Sequence, residues 1–411
     1  MHILLLTAYF PPDVGSASHL FYELGQSFVA HGHRVSVVTG FPGYHAQGDL
    51  RRYRHKLYLH DVIEGISVHR VAVPYLARDT AFGRGLWQFT CAAIFTLAGF
   101  NVQSPDVVLV YSPPLPLGLT ALLWRRLRGA PFVLNVQDLF PQSAIDLGIL
   151  RHELLIGFFY WLERFLYRHV NAITAHSSGN RDYVVQHGGR PESTFVVPNS
   201  VAVDNIRPGP KNNDLRKRLG LNGHFVVSFA GIMGYSQDVD TVLSAADILR
   251  NERHIHFLLV GDGVEKDRLI RKSKQMGLTN VTWLPMQSRE DYPSVLHASD
   301  VGLATLRADV KTPVVPSKIL SIMAAGRPVI AASDARGDVP HLLQEAQAGF
   351  CLPPEQPHLL ADRLLQLSQN PDLCLRLGRN GRRYAVEYLS TDTVAARYEA
   401  IFRTLIESKK S

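Results

Sequence analysis

The sequence predicts an α/β protein of two domains in tandem, each a parallel sheet covered by helices on both faces. Three observations predict it. Short runs rich in Val and Ile alternate with longer segments of helical period along the whole chain, the pattern of strand–helix–strand crossovers. The two halves open alike, with an apolar strand, a glycine-containing loop and an amphipathic helix. Between them, residues 199–223 hold Pro208, Gly209, Pro210 and a polar KNNDLRKR run, the composition of a joint. A length of 411 residues supplies two large cores.

The elements follow in order. Strand candidates of the first half are residues 3–7, 34–39, 67–73, 106–111, 131–136, 172–175 and 194–198. The first leads through a Pro/Gly loop to a helix whose Leu20, Phe21, Leu24 and Phe28 share one face. The second half offers 225–230, 256–260, 281–284, 300–304, 328–331 and 349–352. Its first strand leads through Gly231 and Gly234 to a helix with Val239, Val242, Leu243 and Ala246 on one face. Residues 393–407 form a last helix with Val394, Tyr398, Ile401, Phe402 and Leu405 aligned, expected to pack back toward the first domain. The chain thus divides into 1–205, 206–390 and the C-terminal helix of 391–411. Each large part reads as a Rossmann-like domain, with its ligand crevice at the carboxyl ends of the strands. Face to face, two such domains form a cleft.

Composition narrows the class. With 46% hydrophobic and 19% charged residues the chain is not disordered. The charge is 43 − 36 = +7, which leaves room for an anionic partner. Cys91, Cys351 and Cys374 lie far apart, which speaks against a disulfide framework or a cysteine zinc site and for a reducing compartment. The opening MHILLLTAYFPP lacks a basic region and a cleavage-like site, so no signal peptide is expected. The apolar run 86–100 has 15 residues, short of the roughly 20 that span a bilayer. A cytoplasmic chain, touching the membrane at most from its inner face, is the expectation.

Four loops at strand ends are candidates for chemistry. Residues 9–18 carry Gly15 before a helix, where backbone can approach a ligand and the helix N-terminus favours negative charge, or where the chain simply turns. Residues 260–263, Val-Gly-Asp-Gly, contain Asp262 and are either a turn or a ligand loop. Residues 315–318, Val-Pro-Ser-Lys, precede a helical run. Ser317 is read as its N-cap, free N–H groups there can hold a diphosphate, and Lys318 adds a movable cation. A Lys in a first turn opposes the helix dipole; either an anion accounts for it or it is an ordinary solvated Lys. Residues 135–142 carry Asp138, which either orients a sugar hydroxyl or water or caps a helix; Asp146 offers the same group nearby. No HExxH, GxSxG or GxxxxGK[ST] pattern occurs, which counts against zinc, esterase and P-loop chemistry. No nucleic-acid-binding motif stands out.

In this order these loops resemble the retaining glycosyltransferases of GT-B fold, family 4. The likeness is greatest to the bacterial branch for O-antigen, capsule and exopolysaccharide, such as N-acetyl-fucosamine transferases. The stretches that carry it are ILLLTAYFPPDVGSASHLFYELGQSFVAHGHRVSVVT, VQDLFPQSAIDLGIL, FAGIMGYSQDVDTVLSAADIL and VPSKILSIMAAGRPVIA, with VGDG and FVVPNSV between. The resemblance implies transfer from a nucleotide sugar without metal or other cofactor, with the donor mostly on the second domain and the acceptor on the first. A UDP-sugar and a lipid-linked saccharide are the expected substrates. By position, Gly15 would sit near the donor, Gly231, Gly234 and the turn to Gln237 would face its diphosphate, and Met286 would lie by the base. Pro316, Ser317 and Lys318 would hold the phosphates with Asp262 nearby, while Tyr111, Ser112 and Asp138 would face the reacting sugar or acceptor. This chain departs at three places. Gln237 stands where a Lys is common, and Pro313 and Ser321 stand where two Glu are common. Lys318 is then the chief cation for the leaving group, with Gln237 and Asp138 as the other candidate catalytic groups. Alternatives are a UDP-sugar epimerase or hydrolase on this architecture, and a non-catalytic scaffold subunit.

Two features suggest a membrane partner. Residues 50–56, LRRYRHK, form a basic cluster with Arg51, Arg52, Arg54 and Lys56, suited to anionic lipid. Residues 154–166, LLIGFFYWLERFL, are strongly aromatic and are read mainly as a buried core helix.

Overall fold

The computed structural model describes residues 1–13, 15–43, 50–74 and 81–409. Val14 of the first candidate loop and residues 44–48 of the loop preceding the basic cluster lie outside them. The chain divides into two compact units, residues 1–200 with 391–411, and residues 201–390.

In the first unit, β1 (His2–Leu6), α1 (Ser16–Ala30) and β2 (Arg34–Gly40) are followed by β3 (Tyr58–Ile63), β4 (Ile66–Val71) and α2 (Ala81–Gly99). Next come β5 (Val107–Ser112), α3 (Leu117–Arg128), β6 (Phe132–Val136), α4 (Gln142–Asp146) and α5 (Glu153–His169). The run closes with β7 (Ala172–Ala175), α6 (Ser178–Gln186) and β8 (Thr194–Val196). The sheet has the order β3-β4-β2-β1-β5-β6-β7-β8, parallel except for β3 against β4. Strand β1 shows why both faces are covered. Its Leu4 and Leu6 join a core with α2 and α3, and its Ile3 and Leu5 join a second core with α1, as period-2 side chains require.

The second unit begins inside the expected joint. There α7 (Asp214–Leu219) is capped by Asn213, and its Arg216 is buried against Asp300, which also takes Lys211 at 2.5 Å and the Val226 N–H at 2.8 Å. The polar run is thus an anchored element rather than a free linker. Then follow β9 (Phe225–Ile232), α8 (Val239–Ile248), β10 (Ile255–Asp262), α9 (Lys266–Gln275), β11 (Val281–Leu284) and α10 (Tyr292–Ala298). After them come β12 (Val301–Thr305), α11 (Ser317–Ala324), β13 (Val329–Ala332), α12 (Asp338–Ala346) and β14 (Gly349–Leu352). Helices α13 (Pro357–Ser368) and α14 (Pro371–Tyr388) end the unit. The all-parallel order β11-β10-β9-β12-β13-β14 reverses direction at β9, which makes the ends of β9 and β12 a topological switch point.

The chain then returns to the first unit with α15 (Thr391–Glu407). Val394, Tyr398 and Phe402 are buried in the core shared with α1. Tyr398 Oη accepts from the buried Asn135 Nδ2 at 2.6 Å. His31 and His33, which flank the turn after α1, face the buried Glu399 of this helix at 2.6 and 3.3 Å.

Candidate active site

In the second unit, the sequence candidates meet at the carboxyl ends of β9 and β12. Phe229 and Gly231 share one face of β9 because they are two residues apart. Lys318 reaches over that face. Its Nζ lies 3.7 Å from the centre of the Phe229 ring and donates to Gln237 Oε1 at 2.7 Å. A β-carbon at Gly231 would stand 3.4 Å from Lys318 Cε, and the residue's φ of +144° favours glycine. Among the described residues no carboxylate forms an ion pair with this ammonium. Burial of the charge without such a partner pulls the Lys318 pKa down from 10.5 to about 7.

Lys318 is the second residue of α11. The expected cap, Ser317, is instead the first helical residue, and Pro316 holds the cap position with φ −59° and ψ 128°. Residue 316 is extended while Ser317 already has helical angles, so the helix begins one residue earlier than a serine cap would place it. Gln237 closes a turn, its N–H donating to Gly234 O at 3.1 Å. Asp238 then caps α8 by accepting the Thr241 N–H at 3.1 Å, while its other oxygen, Oδ2, is buried without a hydrogen bond. Gly234 has open space around it, the nearest atom to an added β-carbon being Ile232 Cγ2 at 3.8 Å.

The other candidates divide. Gly261 and Gly263 serve backbone packing, since β-carbons there would lie 1.9 Å from Gly231 O and 2.5 Å from Met233 O. Asp262 between them is exposed and accepts the Gly263 N–H at 2.8 Å. Met286 is half-buried just after β11. Ser321 is one turn beyond Lys318, with its hydroxyl hydrogen-bonded to the Tyr292 phenol of α10, whose burial pushes its pKa up to about 12. The sequence reading missed Phe229, Asp238 and Tyr292. Only Asp238, as Asp before a helix with a free N-terminus, left a signal.

In the first unit, Gly15 occupies the cap position of α1 with φ 153°, and its carbonyl accepts the His19 N–H at 3.1 Å. The loop before it is tied down from two sides. Buried Asp13 accepts the Gly43 N–H at 2.9 Å. Arg70, wholly buried on β4, donates to Pro11 O and, at 3.5 Å, to Gly40 O, beside the Phe10 ring. Arg70 was also missed, although an Arg within the apolar run ISVHRV was its signal.

Tyr111 and Ser112 are buried at the end of β5, with the Tyr111 ring edge-on to Phe21 at 5.1 Å. Burial first, and the nearby Asp138 second, raise the Tyr111 phenol pKa. Asp138 is half-buried after β6. Desolvation raises its pKa, opposed by hydrogen bonds from the Ser143 side chain and the Leu139 N–H. Its carboxylate therefore holds the entry to α4 while standing beside Tyr111. Among the described residues no group of three or more His, Cys, Asp or Glu could hold a metal ion.

This pair of units defines a class. The glycosyl transferase 4-like domain family matches residues 15–200, and the glycosyl transferases group 1 family matches residues 211–384. The chain belongs to the family 4 glycosyltransferases of GT-B fold. Among its relatives is WcaI of Escherichia coli, named as a colanic acid biosynthesis glycosyl transferase, 24% identical over 89% of this chain and 92% of that one. A GDP-mannose-dependent alpha-mannosyltransferase of Mycobacterium tuberculosis is 26% identical over 98% of this chain and 97% of its own. The fold matches that of Anabaena HepE, solved in complex with UDP, at a TM-score of 0.74, 17% identity and coverage of 98% and 100%.

Proposed function

We propose that this glycosyltransferase moves a hexose or N-acetylhexosamine from a UDP-sugar, such as UDP-glucose or UDP-N-acetylglucosamine, to a lipid-linked saccharide in cell-surface polysaccharide assembly, with retention at the anomeric carbon. The observation that carries the reading is Lys318. Its ammonium has no carboxylate partner among the described residues, sits over an aromatic ring and stands at the start of α11 beside Gly231. A cation at a helix N-terminus is unfavourable until an anion joins it. The departing nucleoside diphosphate is that anion, gaining charge as the glycosidic bond breaks. Gln237 holds the ammonium in place, and Gly231 and Gly234 leave room for the phosphates. Retention follows from attack on the face the diphosphate leaves, with a phosphate oxygen taking the acceptor proton. Tyr111, Ser112 and Asp138 serve the acceptor side.

The base is the finer choice. HepE is solved with UDP and with UDP-glucose, while the mycobacterial relative is named for GDP-mannose. A donor panel of UDP-glucose, UDP-N-acetylglucosamine and GDP-mannose, with lipid-linked saccharides as acceptors, tests the reading. UDP release should require the acceptor and persist in EDTA. Lys318→Ala should lower kcat by on the order of 100-fold or more. A near-normal Lys318→Ala, or isomerised sugar nucleotide without acceptor, would overturn it.

A further inference from the structure

The first unit presents an exposed apolar and basic face. Helix α5 is apolar on both sides. Its inner side, Phe159, Leu162 and Leu166, is buried. Its outer side carries Leu154, Phe158, Trp161 and Phe165, whose 4-3-4 spacing places them on one narrow stripe. Leu154 is 79% exposed, Trp161 59% and Phe158 40%. The expectation of a plain core helix therefore holds for one face only.

The stripe belongs to a continuous row. Phe89 of α2 lies 5.9 Å from Phe158, Phe158 lies 6.0 Å from Trp161, Trp161 stacks on Phe165 at 5.6 Å, and Phe165 meets His169 at 4.4 Å. His169 in turn lines a cavity of about 410 Å³ with Arg125, Arg168 and Arg190, with Leu405 of α15 and with Ser408 just after it, and among the described residues no carboxylate lines it. The charge around the row is one-sided. Helices α2 and α3 contain no Asp or Glu, and α5 contains only Glu153 and the buried Glu163. All three helices pack on the same side of the sheet.

We propose that the outer face of α5, with its arginine cavity, is the surface by which this protein lies on an anionic lipid bilayer. The inference rests on the lipid-linked acceptor reading and names the protein surface that would serve it. Aromatic side chains beside clustered arginines, with Glu153 the one exposed acid of the three helices, match an interface of acyl chains and phosphate head groups. Exposed apolar surface of this extent calls for a partner. A second copy fits less well, because a two-fold contact on this face would oppose the same arginines. Among the described residues no helix is long and apolar enough to cross a membrane, so the contact is a surface one. The basic cluster expected from the sequence is weaker in this role, since its Arg52 is already paired with Asp61.

Flotation of the whole chain tests this, with vesicles of one part phosphatidylglycerol to two parts phosphatidylcholine, and with phosphatidylcholine alone. Binding is expected on the anionic vesicles at low salt, weakened by high salt. Trp161 emission should shift to the blue on binding and be quenched by brominated lipid. The double variants Phe158→Ser/Trp161→Ser and Arg164→Glu/Arg168→Glu, the latter pair both exposed on α5, should each weaken binding tenfold or more. Calorimetry with UDP on the same variants should match the parent, which separates lost docking from lost folding. Failure of the parent chain to bind UDP would strike the donor reading and leave the vesicle result standing. Parent-like flotation of both double variants would overturn the inference. So would loss of binding in Arg51→Glu/Arg54→Glu while the α5 variants still float. A dimer dissolved by Trp161→Ser, without vesicle binding, would overturn it as well.

Discussion

Lys318 has a proton to lose near neutrality, and that gives donor binding a pH signature. Its pKa of about 7 in the free protein reflects desolvation without a carboxylate partner. Below that pH the cation is ready for the diphosphate. Above it, binding must also recruit a proton, so affinity should fall by up to about tenfold per pH unit. Calorimetric titration of UDP between about pH 7 and 9, above the last phosphate ionisation, should show the fall. Lys318→Ala should bind weakly with little slope. Ser321 behaves differently. Its hydroxyl bonds Tyr292 within the fold, so Ser321→Ala should cost about 1 kcal/mol in thermal or urea unfolding. Its kcat/KM should change less than about tenfold. A loss equal to that of Lys318→Ala would mean that Ser321 contacts the donor. Lys318 was legible in the sequence because a Lys in a helix's first turn contradicts the dipole. The ring beneath it was not, since Phe229 is an ordinary apolar residue of a strand until tertiary packing brings α11 over it.

At the scale of elements, the two glycine loops of the second unit separate structure from ligand. At Gly261 a β-carbon would collide with the Gly231 carbonyl, and φ is +152°. Gly261→Ala should therefore destabilise the unit by roughly 3 kcal/mol or more, read from its unfolding midpoint. Gly234 has room for a methyl group, so Gly234→Ala should stay within about 1 kcal/mol of the parent. A UDP affinity lowered in that stable variant would show phosphate close to the backbone there. Both glycines looked alike in sequence, because only the distance between neighbouring strands distinguishes them. Strand β3 escaped the sequence reading for a related reason. Its side chains alternate only between exposed and half-buried, so Tyr58, His60 and Val62 lack the polar contrast that marks a strand with one solvated face. The alternation of β1, β2 and β9 with amphipathic helices was legible because both sheet faces demand apolar residues.

For the whole molecule, the element that matters most is α15. It buries Val394, Tyr398, Ile401 and Phe402 in the first unit. At about 1.5–3 kcal/mol for each large apolar side chain, their sum is on the scale of a domain's entire stability, about 5–15 kcal/mol. A chain cut after Ser390 should lose the cooperative melting transition of the first unit and keep that of the second, as calorimetry would show. Unchanged melting of the first unit would mean that α15 is dispensable. The helix itself was legible from its period; Glu399 between His31 and His33 was not, because residues so far apart in sequence leave no local trace. The return of α15 also sets an order of birth. The first unit is the first to leave the ribosome, yet the core that α1 shares with α15 stays incomplete until all of the second has been made. The second unit can close as soon as α14 emerges, whereas the first waits with Phe28 and Tyr111 uncovered through the whole synthesis of its neighbour. Domains usually fold in the order they are made; here the order is reversed, and the half we assign to the acceptor becomes competent last.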